Sequence, residues 1–132
     1  MSKLEHPHPK GLLHNAAFSQ VVAATGTRTI YTAGQVAIDE DGKLVGANDL
    51  AVQTEQVMRN VGLALAAAGA DFSHVVKITT YVVNYKPEHR AIVGKARAPF
   101  FKGTPPASTL VGVAALALPE WLVEIEAIAV VD

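Results

Sequence analysis

The chain predicts an α+β fold in which a mixed sheet carries two helices on one of its faces. Three patterns lead there. Val75–Val83 alternates with a period of two, and so does the stretch from Leu122 to Val131. Two other stretches, Asp49–Ala68 and Pro87–Ala98, place apolar residues at helical spacing. Strands separated by whole helices need crossover connections, and crossovers lay helices on a sheet face.

Taken in order, the first ten residues hold Pro7 and Pro9 beside His6 and His8 without periodicity, and they are expected to form an extended arm. Phe18–Ala24 and Arg28–Ala33 are rich in β-formers around Thr25-Gly26-Thr27, the composition of a hairpin. Asp41-Gly42 marks a tight turn. The first helix has Asn48 or Asp49 as N-cap and Gly69 as its stop, with Leu50, Val57, Val61, Ala64, Leu65 and Ala68 along one side. In the following strand Val76, Ile78 and Val82 alternate against Lys77, Thr79 and Tyr81. Pro87 suits the first turn of the second helix and Pro99 discourages its continuation, with Ile92, Val93 and Ala96 as the expected buried stripe.

The last two strands are expected over Ala107–Leu116 and Leu122–Val131. On the final strand Val123, Ile125, Ala127, Ala129 and Val131 point one way and Glu124, Glu126, Ile128 and Val130 the other, so both faces carry apolar groups. Two helices cover only one face of a sheet. The second face is therefore expected to meet another copy of the chain.

Composition narrows the function classes. The 132 residues fit one domain, half of them hydrophobic and 17% charged, with net charge −1. That balance lacks the clustered Lys and Arg that RNA or anionic membranes attract. Cysteine is absent, which excludes disulfides, a thiol nucleophile and thiolate metal sites. The N-terminus has no signal-peptide core, and the longest apolar run, Val111 to Leu118, is too short to span a bilayer, so a soluble cytoplasmic protein is expected. His6, His8, His14, His74 and His89 show no metal-ligand spacing, and no cofactor is expected.

Several segments in fixed order resemble the RidA/YjgF family of imine and enamine deaminases. They are Thr32-Ala33-Gly34-Gln35-Val36, Val45-Gly46, Gln53-Thr54, Ala66-Ala67-Ala68-Gly69, Val75-Val76-Lys77, Phe100-Phe101, Pro106-Ala107-Ser108-Thr109 and Val123-Glu124-Ile125-Glu126-Ala127. The resemblance runs from about Phe18 to Ala129. It implies a chorismate-mutase-like fold, a homotrimer whose sheets pack into a central barrel, and small-molecule clefts at the subunit interfaces. It also implies a site. Glu124 matches the glutamate that orients the hydrolytic water, work for which a carboxylate is suited. Ser108 stands where the family has its carboxylate-gripping arginine, Phe18 where it has a tyrosine, Ala33 where it has a serine before Gly34-Gln35, and Gly94 where it has an asparagine. The similarity is thus to a branch that lacks the arginine.

Each candidate also has a structural reading. Glu124 and Glu126 are either an acid–base pair or the wetter face of a strand. Ser108 and Thr109 either bind a polar ligand group or satisfy local backbone donors. Arg97, Lys95, Arg28 and Arg90 are expected as solvated charges, with a substitute for the missing arginine as the alternative. Trp121, in a loop about two residues longer than the family's, either caps the cleft or packs at an interface. Three functions remain: a hydrolase or deaminase with a substrate other than simple 2-imino acids, a non-catalytic ligand-binding or regulatory protein, and, last on charge grounds, an endoribonuclease or translation inhibitor.

Overall fold

The computed structural model describes residues 1–132. Its elements run β1 (Lys3–Glu5), β2 (Ala23–Thr25), β3 (Arg28–Tyr31), α1 (Leu50–Ala67), β4 (Val75–Val83), α2 (His89–Arg97), β5 (Ala107–Val113) and β6 (Val123–Val131).

Helix α1 forms where the caps and the apolar stripe agree. The Asp49 carboxylate accepts from the Val52 N–H, satisfying one of the free donors of the first turn. At the other end Gly69 adopts φ +80, and the N–H groups of Gly69 and Ala70 return to the carbonyls of Ala66 and Leu65. That pair of hydrogen bonds is the usual glycine-terminated helix end. Arg28 completes it by donating to the Ala68 carbonyl at 3.0 Å. The buried stripe is Gln53, Thr54, Val57, Met58, Val61 and Leu65.

The main sheet has the order β3-β6-β4-β5, antiparallel except for β4 and β5. Those two are parallel because α2 carries the chain back between them. Val123, Ile125 and Ala129 of β6 are wholly inaccessible, as are Val57, Met58, Val61 and Leu65 of α1 and Ile78 of β4, and together they form the core. No helix is long and apolar enough to cross a membrane.

Four expectations change. Ala23–Thr25 does not pair with Arg28–Tyr31; it pairs with Lys3–Glu5, while β3 pairs with β6. The N-terminal arm takes up the backbone groups of Ala23–Thr25 and β6 takes up those of β3, so the anticipated hairpin is replaced by two separate ladders. On β4 the register slips between Val75 and Lys77, which puts Val75 rather than Val76 beside Ile78 in the core. On α2 the buried residues are Val93 and Arg97, and Ile92 is 37% exposed. Pro87 lies in the turn before the helix, whose first residue is His89.

Gln53 is a polar staple in this core. Its amide donates to the carbonyls of Gly46 and Glu120 at 3.1 and 3.0 Å and accepts from the Leu122 N–H at 2.9 Å. It thereby ties the loop around Trp121 to α1. Gln53→Leu leaves the Glu120 carbonyl and the Leu122 N–H without a partner, while the Gly46 carbonyl still accepts from the Asp49 N–H, and a cost of about 2–4 kcal/mol is expected. Denaturant unfolding at fixed protein concentration should show a lower midpoint with unchanged slope.

Candidate functional site

Two groups of candidate residues lie on opposite sides of the sheet, and the period of two decides which side each takes. Ser108 pairs with the buried Ile78 and so faces the helices, whereas Thr109 pairs with Thr79 and faces the open side. On β6, Glu124 and Glu126 share the open side.

On the helix side a cleft of about 510 Å³ opens at the β5 edge. Phe18, Gly94 and Ser108, all expected from the sequence, line it. Tyr85, Phe101 and Leu110 add apolar walls that sequence reasoning missed. Arg90 also lines the cleft and is exposed, in keeping with a solvated charge.

Arg97 departs from that expectation. It is only 9% exposed and sits deep in the cleft. Its Nη1 donates to the Thr80 hydroxyl at 3.3 Å and its Nη2 to the Ser108 hydroxyl at 3.4 Å. Its Nε has no partner. The Phe101 ring lies 5.9 Å from the guanidinium carbon, within cation–π range. Burial pulls this guanidinium below the usual arginine range. The position follows from helix geometry: Arg97 is four residues beyond the buried Val93, hence on the same face. Counting the stripe forward from Val93 would have found it, had a charged residue not been assumed to face water.

Apart from the exposed Arg90, the other candidate cations do not join it. Arg28 is committed to the Ala68 carbonyl, and Lys95 is exposed.

On the open side, Ala33 and Gly34 stand opposite the single residue Glu126, because Thr32 bonds to Ala127 and Gln35 to Ile125. This bulge brings Gly34 over the Glu124 side chain. A Cβ at Gly34 would fall 2.2 Å from Glu124 Oε2, so only glycine leaves that carboxylate where it is. The Tyr81 hydroxyl donates to Glu126 Oε1 at 2.8 Å. The hydrogen bond to Glu126 raises the Tyr81 pKa above its ordinary value, helped by partial desolvation and by the charges of Glu126 and Glu124. Glu126 is thus occupied, while the Glu124 carboxylate accepts no hydrogen bond within the chain. Thr109, on the same side, accepts from Lys77 Nζ. Ala33, Gly34, Thr109 and Glu124 therefore do not meet Phe18, Gly94 and Ser108 within one chain; the sheet lies between them.

The family model described as endoribonuclease L-PSP matches residues 10–131. A Rid-family protein of unknown function from Yersinia pestis, YyfB, has the same fold with a TM-score of 0.91 and 40% identity, covering 96% of this chain and 98% of that one. Among curated proteins, DfrA of Myxococcus xanthus is 36% identical over 86% of this chain and 84% of its own length. The 2-iminobutanoate/2-iminopropanoate deaminase of Rattus norvegicus is 36% identical over 86% of this chain and 80% of its own length. The fold is accordingly the chorismate-mutase-like α+β arrangement of these proteins.

Because only a flexible carboxylate must yield, Gly34→Ala is expected to fold and to melt within a few degrees of the wild type. Its crystal structure should show the Glu124 carboxylate swung off its original position. An unmoved Glu124 would mean that the bulge, not the side chain, absorbs the new methyl group.

Proposed function

We propose, for a chain that belongs to the endoribonuclease L-PSP (Rid/YjgF) family, the hydrolysis of a small imine or enamine metabolite to a carbonyl compound and ammonia, at a cleft completed by a second copy of the chain. The observation that carries this reading is Glu124: a carboxylate on the open sheet face, given room by the glycine at position 34 and free of any hydrogen bond within the chain. The similarity to a 2-iminobutanoate/2-iminopropanoate deaminase supports the reaction class.

In this reading Glu124 accepts a proton from a water whose oxygen adds to the imine carbon. The carbon–nitrogen double bond becomes single as the proton held by Glu124 passes to the nitrogen, giving a carbinolamine. Glu124 then takes the carbinolamine hydroxyl proton and delivers it to the same nitrogen as the carbon–nitrogen bond breaks, which leaves the carbonyl and ammonia. Water supplies the oxygen of the product, so no cofactor is required. The chain stands in a branch without arginine at position 108, and its substrate departs from the simplest 2-imino acids.

The assembly proposed is a homotrimer. Glu124 faces away from the helix-side cleft, so a ligand that touches both needs the open face of one protomer set against the cleft edge of another. Val111, Ile128 and Val130 on that open face are apolar groups that such packing would cover. A second reading, a binding or regulatory protein without turnover, is favoured by the loss of polar groups at Phe18, Ala33, Gly94 and Ser108.

Light scattering at micromolar concentration is expected to report three chains of 13.9 kDa; a monomer would remove the composite site. Ammonia release should be followed on imines made in place by an amino-acid oxidase. Glu124→Gln is expected to keep the assembly and lose at least about 100-fold in turnover, because an amide takes up no proton. Wild-type turnover in that variant assigns Glu124 to structure, and absence of turnover on every imine in the wild type favours the binding reading.

A further inference from the structure

Hydrolysis at Glu124 leaves one expensive feature of the cleft unused, the buried guanidinium of Arg97. A cation removed from water is costly unless an anion meets it. No ion pair includes Arg97, and no Asp or Glu lines the cleft. Its two hydrogen bonds go to neutral hydroxyls at 3.3 and 3.4 Å, longer than charged pairs make. A guanidinium carries five N–H donors, and here Nε has no partner at all. Phe101 offsets part of the lost hydration but takes no hydrogen bond of this kind.

The shape of the cleft supplies the second observation. A Cβ built at Gly94 meets nothing within 4 Å. Glycine inside a helix is destabilising relative to alanine, and here no close packing demands it. Gly94 lies one turn before Arg97 on the same helix, so the open space adjoins the buried charge. The surrounding walls are Phe18, Tyr85, Val93, Phe101 and Leu110. A volume of about 510 Å³ lies in the range of sites for drug-sized ligands and far exceeds what a two- or three-carbon acid fills.

We infer that the cleft takes a monocarboxylate with a bulky apolar body, its carboxylate gripped by Arg97 from helix α2 beside the Ser108 hydroxyl, and its apolar part lodged in the gap at Gly94. The one buried guanidinium fork matches two carboxylate oxygens, and the cleft's other cation, Arg90, is exposed and so less able to grip an anion. The inference rests on the cleft being the ligand site proposed above but not on any hydrolysis there.

Calorimetric titration of the assembled protein at neutral pH tests it with 3-phenylpropanoate, its uncharged isostere 3-phenylpropanamide, and propanoate. The acid is expected to bind at least about 10-fold more tightly than the amide, as a charge-assisted pair predicts. Arg97→Gln should level acid and amide, and Arg97→Lys should keep part of the preference, since it retains the charge without the fork. Gly94→Leu should erase the advantage of 3-phenylpropanoate over propanoate. Should Arg97→Gln not fold, Arg97→Lys carries the test alone: a narrowed acid-over-amide preference in the folded lysine variant supports the assignment, and an unchanged preference overturns it. Equal binding of acid and amide by the wild type, binding of neither, or a preference that survives Arg97→Gln in folded protein also overturns it. Arg97-dependent binding without ammonia release from any imine removes the hydrolytic reading and leaves the anchor standing. Ammonia release undiminished by Arg97→Gln does the reverse.

Discussion

The pairing of β6 with both β3 and β4 is the constraint on which the rest of the molecule depends. It places a nine-residue strand in the middle of the sheet, where every second side chain must go under α1. Val123, Ile125 and Ala129 accept that burial completely. The alternate positions are then committed to the other face, which is why Glu124 and Glu126 stand together on the open side, away from the helices. A slip of one residue would bury two carboxylates and expose the core. The location of the candidate base is therefore a by-product of the same register that closes the core.

The second organising fact is electrostatic. Arg97 is held on the buried face of α2 by the period of the helix, and the chain provides hydroxyls rather than an acid to receive it. Such an arrangement costs stability in the unliganded protein, a cost that the proposed carboxylate ligand would offset. Ser108 contributes in a manner its position alone does not reveal. It is too short to bind an anion by itself, yet its hydroxyl is one of two groups that hold the guanidinium in place. Substituting arginine at 108 in the presence of Arg97 would set two cations side by side.

Most elements were legible in the sequence because their signals are local. The caps Asp49 and Gly69 bound α1 where capping chemistry puts them, the alternation from Val75 to Val83 delimits β4, and the two faces of β6 follow from its residue order. Where the reading failed, the deciding contact was distant in sequence. Ala23–Thr25 turns from the neighbouring β3 to Lys3–Glu5, a partner that no turn signal announces. The bulge after Val75 exchanges it for Val76 in the core, and nothing in the alternation marks that slip.

For the site the division is sharper. The sequence by itself determined which residue types are present at the expected positions, that no cysteine chemistry is possible, and, through period two, that Glu124 shares a face with Glu126 rather than with the core. It also carried the resemblance that implied one interfacial cleft for Phe18, Ala33, Gly94, Ser108 and Glu124, of which Phe18, Gly94 and Ser108 line one cleft within a single chain. Only the tertiary structure decided that Arg97 is buried beside Ser108, that Gly34 leans on Glu124, and that the sheet separates these two centres. The physical reason is that periodicity reports which way a side chain points along its own element, while burial of a charge depends on what another element places opposite it.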